Sequence, residues 1–202
     1  MRKFVLMAMA TAAAVLAQPA SAQEFKGTAQ GCFTTTTCSP SGGDTYSGLT
    51  YTAGAFDLNT DSHGHIGLGG TSNNLGSFSL NATPQDYAGE FFDLLVTFTL
   101  PTGTNPNPTT LTATLTGQIV DSNSGGVTID FDNSWLPFTS DAGPFQFSVN
   151  DVSVSPDSRI QVLSGQIQAL PEPGTWGMML LGFAGVGLAM RRRRRPALAQ
   201  VA

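Results

Sequence analysis

Oxygen-bearing side chains alternate along one short stretch of the sequence, DLNTD at residues 57 to 61. Alternating Asp and Asn side chains can converge on a hard cation, as they do in Ca²⁺-binding loops. Asp57, Asn59 and Asp61 are therefore candidate Ca²⁺ ligands. The rest of the loop pattern is missing, because the glycine of its middle and the closing carboxylate are absent. A polar turn without metal is the favoured interpretation, and no cofactor is expected.

Two histidines follow directly, and Asp61, His63 and His65 alternate along the chain. Side chains at alternate positions of a strand share one face, where imidazole and carboxylate groups suit a transition metal. The sequence holds no third histidine, and no carboxylate follows at suitable spacing. A transition-metal site is therefore a weaker alternative to the polar turn.

Two pairs of carboxylates raise the question of polysaccharide hydrolysis, Glu90 with Asp93 and Asp130 with Asp132. A glycosidase needs two carboxyl groups about 5 to 9 Å apart. Asp130 and Asp132 alternate on what the pattern indicates is the solvent face of a strand, so solvation explains them. No nucleophile elbow, zinc-protease or phosphate-binding motif occurs. We expect a protein that is not an enzyme, with a secreted polysaccharide hydrolase as the alternative.

The large aromatic residues could lie in the core or stack on a sugar ring. Trp135 is expected in the core, because large aromatic side chains contribute most to stability when they are covered. The alternative is that Trp135, Tyr46, Tyr51 or Tyr87 stacks on a sugar ring.

Cys32 and Cys38 are the two cysteines of the chain. In an exported protein, a close pair of this kind forms a disulfide by default, and the five residues between them form a small loop. Two thiolates are too few for a structural zinc site. We predict a disulfide between Cys32 and Cys38.

The elements that position these residues are predicted to be strands. Val96, Phe98 and Leu100 alternate with polar residues, as strands with one buried face do. The same pattern marks further stretches: 51–58, 76–80, 111–120, 127–131, 145–154 and 160–170. Turn-forming Gly, Pro and Asn residues separate them. The body is therefore predicted to be all-β, an antiparallel β-sandwich of jelly-roll-like or immunoglobulin-like topology, within residues 23–170.

Charge divides the chain into three parts. Between residues 23 and 170, Lys26 and Arg159 stand against thirteen acidic residues, a net charge of −11. Such a body repels phosphate backbones, so nucleic acid is excluded as a partner. The remaining basic residues lie at the two ends of the chain.

The N-terminal end is typical of a secretory signal peptide. Arg2 and Lys3 precede an apolar run from Phe4 to Ala17, and Ala20-Ser21-Ala22 fits the A-x-A cleavage pattern. We predict a signal peptide over residues 1–22, with Ala20 and Ala22 at the cleavage site. The body is then exported.

The C-terminal end is predicted to enter a membrane. Residues 174–190 carry no charge and, as a helix rising about 1.5 Å per residue, reach about 25 Å. Such a transmembrane helix would be followed at once by Arg191, Arg192, Arg193, Arg194 and Arg195. An arginine cluster is held on the cytoplasmic side by the positive-inside preference. The body would then lie outside the inner membrane, and residues 196–202 would form a short tail.

Pro171-Glu172-Pro173, Trp176, the Gly-rich apolar segment and the arginine cluster resemble the PEP-CTERM sorting signal, over residues 171–195. The resemblance is closest to the variant with Trp three residues after the second proline. It departs from that variant at Gly177, where Ala is usual, and in the tail beyond the arginines. It implies recognition by exosortase, a membrane enzyme that cleaves near Pro-Glu-Pro, and a Gram-negative envelope.

The same resemblance implies an association with extracellular polysaccharide. We therefore expect a non-catalytic protein of the cell surface or extracellular matrix, delivered from an inner-membrane-anchored precursor. A permanent tail anchor and a calcium-dependent carbohydrate-binding module remain alternatives.

Overall fold

A computed structural model describes residues 22–33, 43–81, 83–170 and 173–193 of the protein. The body consists of strands, joined by turns and one 3₁₀ turn at Gly70–Ser72. The strands are β1 (Glu24–Phe33), β2 (Asp44–Tyr46), β3 (Leu49–Thr52), β4 (Gly54–Asn59), β5 (His65–Leu68), β6 (Ser77–Leu80), β7 (Gln85–Asp86), β8 (Phe91–Leu100), β9 (Thr109–Asp121), β10 (Ser124–Phe131), β11 (Leu136–Phe138), β12 (Phe145–Val149), β13 (Val152–Val154), β14 (Ile160–Val162) and β15 (Gly165–Ala169). A helix, α1 (Pro173–Arg193), follows them.

The strands form three antiparallel sheets. The large sheet has seven strands in the order β13-β10-β9-β8-β1-β4, with β7 paired to β9. Two smaller sheets have the orders β11-β12-β15-β5 and β14-β6-β3-β2. The prediction of an all-β antiparallel body is confirmed.

Both small sheets pack against the same face of the large sheet. Phe92 of β8 contacts Tyr51 and Phe78 of one small sheet, with ring centroids 4.9 and 5.0 Å apart. Phe98 of the same strand contacts Phe138 and Phe145 of the other, at 5.4 and 5.2 Å. One aromatic-rich core therefore lies between the large sheet and the two small ones, and the opposite face of the large sheet is left uncovered by them.

Three stretches predicted as single strands each contain a break. The stretch 51–58 divides at Ala53, 145–154 at residues 150–151, and 160–170 at residues 163–164. At each break the chain passes from one sheet to another: β3 to β4, β12 to β13, and β14 to β15. Alternation continues through these crossings because each strand still turns one face to the shared core.

Strand β1 was absent from the predicted strands, although it lies inside the large sheet between β4 and β8. Its inward positions include Gly27 and Gly31, which carry no apolar side chain and so hide the alternation. A methyl group at Gly27 would collide with the ring of Phe56, and one at Gly31 with the ring of Phe92. Glycine is required at both positions because neighbouring rings fill the space.

The C-terminal helix is confirmed as a helix, since α1 spans the predicted segment 174–190. Within the described ranges, no helix combines the length and the apolar character needed to cross a membrane. The transmembrane prediction for residues 174–190 is therefore not confirmed.

Candidate functional site

The candidate Ca²⁺ ligands have protein partners of their own. Asp57 accepts a hydrogen bond from the Lys26 ammonium, with Nζ and Oδ2 2.6 Å apart. Oδ1 of Asp61 accepts the backbone N–H groups of His63 and His65, at 2.8 and 2.9 Å. Among the described residues, no three His, Cys, Asp or Glu side chains are grouped so that they could hold a metal ion. Asp57 therefore forms an ion pair and Asp61 closes a polar turn between β4 and β5, while a Ca²⁺ site involving Asp57, Asn59 and Asp61 stays a prediction.

This turn gives a pH-dependent prediction. The backbone N–H groups of His65 and His63 stabilise the charged form of Asp61 and hold the pKa of its carboxyl below the usual value. A carboxyl whose pKa is lowered on folding contributes stability above its unfolded pKa of about 3.9 and loses it as the pH falls. We expect Asp61→Asn to lower the free energy of unfolding at pH 7 and to have a smaller effect at pH 3. Urea unfolding of both proteins at the two pH values measures this, and a pH-independent difference would contradict it.

The two carboxylates of the first pair, Glu90 and Asp93, bond to different neighbours. Glu90 accepts a hydrogen bond from the Tyr46 hydroxyl at 2.9 Å, and Tyr46 packs beside the core. Asp93 instead accepts one from the Thr112 hydroxyl on β9. Glu90 lies one residue before β8 and bonds to Tyr46 beside the core, whereas Asp93 bonds to an exposed threonine, so the two carboxylates have different surroundings.

The second pair, Asp130 and Asp132, is exposed, as the alternation predicted. Asp132 accepts the backbone N–H of Ser134 at 3.2 Å and so belongs to a local turn. Asp130 lies on the uncovered face of the large sheet.

Threonine dominates that uncovered face. Strand β9 presents every second side chain to solvent, with Leu111, Ala113 and Leu115 buried between them. The solvent-facing threonines of β9 are Thr110, Thr112, Thr114 and Thr116. Thr128 of β10 continues the row and shares a hydrogen bond with Ser153 of β13, at 2.9 Å between the hydroxyl oxygens. The face is therefore broad, polar and rich in hydroxyl groups.

One aromatic ring stands among these hydroxyls. Phe91 is 44% exposed at the start of β8. It pairs with Thr114, which in turn pairs with Asp130 on the next strand. Asp93 follows two positions after Phe91 on the same face, about 6.8 Å along the strand, and pairs with Thr112. We call Phe91, Asp93, Thr112, Thr114 and Asp130 the outer patch.

The aromatic residues named from the sequence lie elsewhere. Trp135 was expected in the core, but it is 39% exposed, just before β11, so this prediction is wrong. Tyr51 and Tyr87 are buried, and their hydroxyls donate to the carbonyls of Leu75 and Ser47. Neither tyrosine is therefore available to stack on a sugar ring. Phe91 was overlooked because it adjoins Phe92, and two consecutive aromatics do not reveal which one faces inward.

The last strand of the body lies close in sequence to the C-terminal helix. Strand β15 lies between β12 and β5, so it is hydrogen-bonded on both sides. The backbone N–H of Ala169 donates to the carbonyl of Gly64 at 2.8 Å. The N–H of Leu170 donates to the carbonyl of Pro144 at 2.9 Å. Helix α1 begins at Pro173, three residues after Leu170. The described body is hydrogen-bonded as far as Leu170.

Helix α1 presents apolar side chains to its surroundings. Leu180, Leu181 and Phe183 are 68, 68 and 69% exposed. Further along, Val186, Leu188 and Met190 are exposed as well. An apolar helix surface of this kind indicates an interaction partner outside the described residues.

Residues 169–195 match the family model of the PEP-CTERM protein-sorting motif. The chain carries a PEP-CTERM sorting signal. The match includes the predicted motif residues Pro171, Glu172, Pro173 and Trp176 and the cluster Arg191 to Arg195. The PEP-CTERM signal marks an exported protein whose precursor is sorted by exosortase. Comparison with curated proteins and with solved structures finds no match for this chain.

The described structure includes only part of the predicted signal peptide and of the PEP-CTERM sorting signal. Pro171, Glu172, Arg194 and Arg195 lie outside the described residues, while Arg191 is exposed at the end of α1. Residues 1–21 of the predicted signal peptide, Ala20 among them, also lie outside the described residues. Ala22 is the first described residue and is exposed. Cys38 lies outside too, so its disulfide with Cys32 stays a prediction, although the described residues contain no free cysteine.

Proposed function

We propose that the protein is a non-catalytic component of the cell surface or extracellular matrix of a Gram-negative bacterium. Its body contacts extracellular polysaccharide through the outer patch, and exosortase delivers it. The observation that carries this proposal is the exposed ring of Phe91 on a hydroxyl-rich sheet face, with Asp93 along the same strand and Asp130 two strands away.

The chemistry of the outer patch suits a sugar. The C–H face of a pyranose ring is apolar and covers an aromatic ring, while its hydroxyl groups point outward as donors and acceptors. Asp130 lies two strands from Phe91, about 9 to 10 Å away, and Asp93 lies about 6.8 Å along the strand. Acceptors at these distances reach the hydroxyls at the edge of a ring stacked on Phe91.

The same geometry argues against hydrolysis. A general acid needs a raised pKa, which enzymes obtain by burying a carboxyl group in an apolar pocket. Asp130 is exposed and Asp93 only half-buried, both on an open sheet face. A face of this kind binds a polymer without excluding water from it, so we favour adhesion over turnover.

Sorting by exosortase accounts for the C-terminal segment. The apolar surface of α1 supports an association of the precursor with the inner membrane, with the arginine cluster on the cytoplasmic side. The body ends at Leu170, so a cut near Pro-Glu-Pro leaves it whole. Because β15 is paired on both sides, release of the C-terminal segment does not remove a strand from the sheet.

Phe91→Ala tests the proposed polysaccharide contact. We expect affinity for the exopolysaccharide purified from the source bacterium to fall about tenfold, because the stacking ring and its covered area are lost. Isothermal titration of the exported body measures this. Ile160→Ala is the matched control, since Ile160 is 67% exposed but lies on β14, outside the large sheet. Equal affinities of the two variants would overturn the proposed contact, and so would sugar release from the polymer during the titration.

A further inference from the structure

We propose that the mature protein begins with a pyroglutamate ring formed from Gln23. The inference rests on the predicted cleavage after Ala22 and is independent of polysaccharide binding. Cleavage at that bond makes Gln23 the first residue, one position before β1 begins at Glu24. An N-terminal glutamine carries an amine and a side-chain amide that can close to a five-membered lactam.

Hydrogen bonds hold the backbone of Gln23, but its side-chain amide nitrogen makes none. Its N–H donates to the Thr60 hydroxyl at 2.9 Å, and its carbonyl accepts the N–H of Thr60, also at 2.9 Å. Thr60 itself is buried, at 7% exposure. The side-chain nitrogen Nε2 of Gln23 is buried without a hydrogen-bond partner. A buried donor with no acceptor is unfavourable, so no hydrogen bond of this amide nitrogen is lost when the amide reacts.

Cyclisation removes this buried donor. The unprotonated α-amine attacks Cδ of the side chain, a new N–Cδ bond forms, and the Cδ–Nε2 bond breaks. Nε2 leaves as ammonia, taking one proton from the amine, and no oxidant or reductant is needed. The α-amino pKa of about 7.7 to 8.0 leaves a substantial unprotonated fraction near neutral pH.

The product fits the site better than the free terminus. A free α-ammonium brings three donors and a charge to a partly buried position, where the described structure supplies the Thr60 hydroxyl as acceptor. The lactam keeps one N–H for that hydroxyl and keeps the carbonyl that pairs with Thr60. The lactam ring therefore gives the mature chain a neutral, blocked N-terminus just before β1, which aminopeptidases cannot attack.

Mass spectrometry of the exported protein tests the proposal. The full chain is expressed in a secreting Gram-negative host, reduced, and cleaved before Asp44 to give the fragment of residues 23–43. A synthetic, isotope-labelled fragment with a linear Gln23 is added before digestion and reports any cyclisation during handling. We expect the natural fragment to be lighter than the linear sequence by one ammonia, with the labelled fragment remaining linear.

Gln23→Glu is the matched variant, since its side chain has the same length but lacks the amide that leaves as ammonia. We expect its fragment to remain linear and to be shortened by an aminopeptidase that leaves the unaltered protein intact. A linear Gln23 in the unaltered protein would overturn the cyclisation. A fragment that begins at another residue would overturn the predicted cleavage and the proposal together.

Discussion

Glu172→Gln is expected to abolish most processing of the precursor, leaving the uncut chain in the membrane fraction. The change removes the charge of the sorting motif while keeping its shape and both flanking prolines. An enzyme that reads a carboxylate in a water-excluded site loses about 2 to 5 kcal/mol when that charge is removed. Because about 1.4 kcal/mol corresponds to a factor of ten, the processing rate should fall at least about 30-fold. Pulse-chase labelling of the native host, followed by fractionation, measures that rate.

Glu24→Gln is the control for this experiment, because it makes the same chemical change on an exposed residue at the start of β1. We expect its processing to match that of the unaltered protein. Normal processing of Glu172→Gln would contradict the assignment of Glu172 as a recognised group. An intact C-terminus, arginines included, on every mature molecule would reject the sorting step itself.

Phe98→Ala is expected to destabilise the body by about 3 to 5 kcal/mol, the range for removing a buried aromatic ring. Phe98 is 3% exposed, and its ring lies 5.2 to 6.0 Å from four others, those of Phe56, Phe138, Phe145 and Phe147. These rings come from the large sheet and from one small sheet, so a cavity at this position loosens the contact between them. Urea unfolding monitored by circular dichroism gives the change.

Phe91→Ala supplies the control, since it removes the same side chain from the same strand at a position that is 44% exposed. We expect it to change the free energy of unfolding by less than about 1 kcal/mol. Similar losses in the two variants would contradict the assignment of one face of β8 to the core and the other to solvent. If Phe98→Ala is too unstable to purify, the milder Phe98→Leu should still unfold at lower urea than Phe91→Leu.

Both ends of the body are held by hydrogen bonds. Gln23 is held by Thr60 at the start of β1, and Leu170 is held by Pro144 at the end of β15. Each predicted cut therefore falls within a few residues of a hydrogen-bonded strand. We expect these two cuts to leave little free chain at either end of the body.

Several features were determined by the sequence alone because they depend on neighbouring residues. The sorting signal is read from consecutive residues, from Pro171 to the arginine cluster, and the family match confirms it. Strand alternation is also local, since each side chain faces opposite to the one before it. Val96, Phe98, Val127 and Ile129 are accordingly buried as predicted.

Only the tertiary structure decided which distant residues meet. Asp93, Thr112 and Asp130 lie on three strands and come together through the register of β8, β9 and β10, which no local pattern encodes. Trp135 has a large aromatic side chain of the kind that usually lies in a core. Here phenylalanine rings from facing sheets fill the core, and Trp135 remains exposed. The pairing of Asp57 with Lys26 likewise follows from β4 lying beside β1. A local pattern fixes the side to which a residue points, but sheet order and packing fix its neighbours.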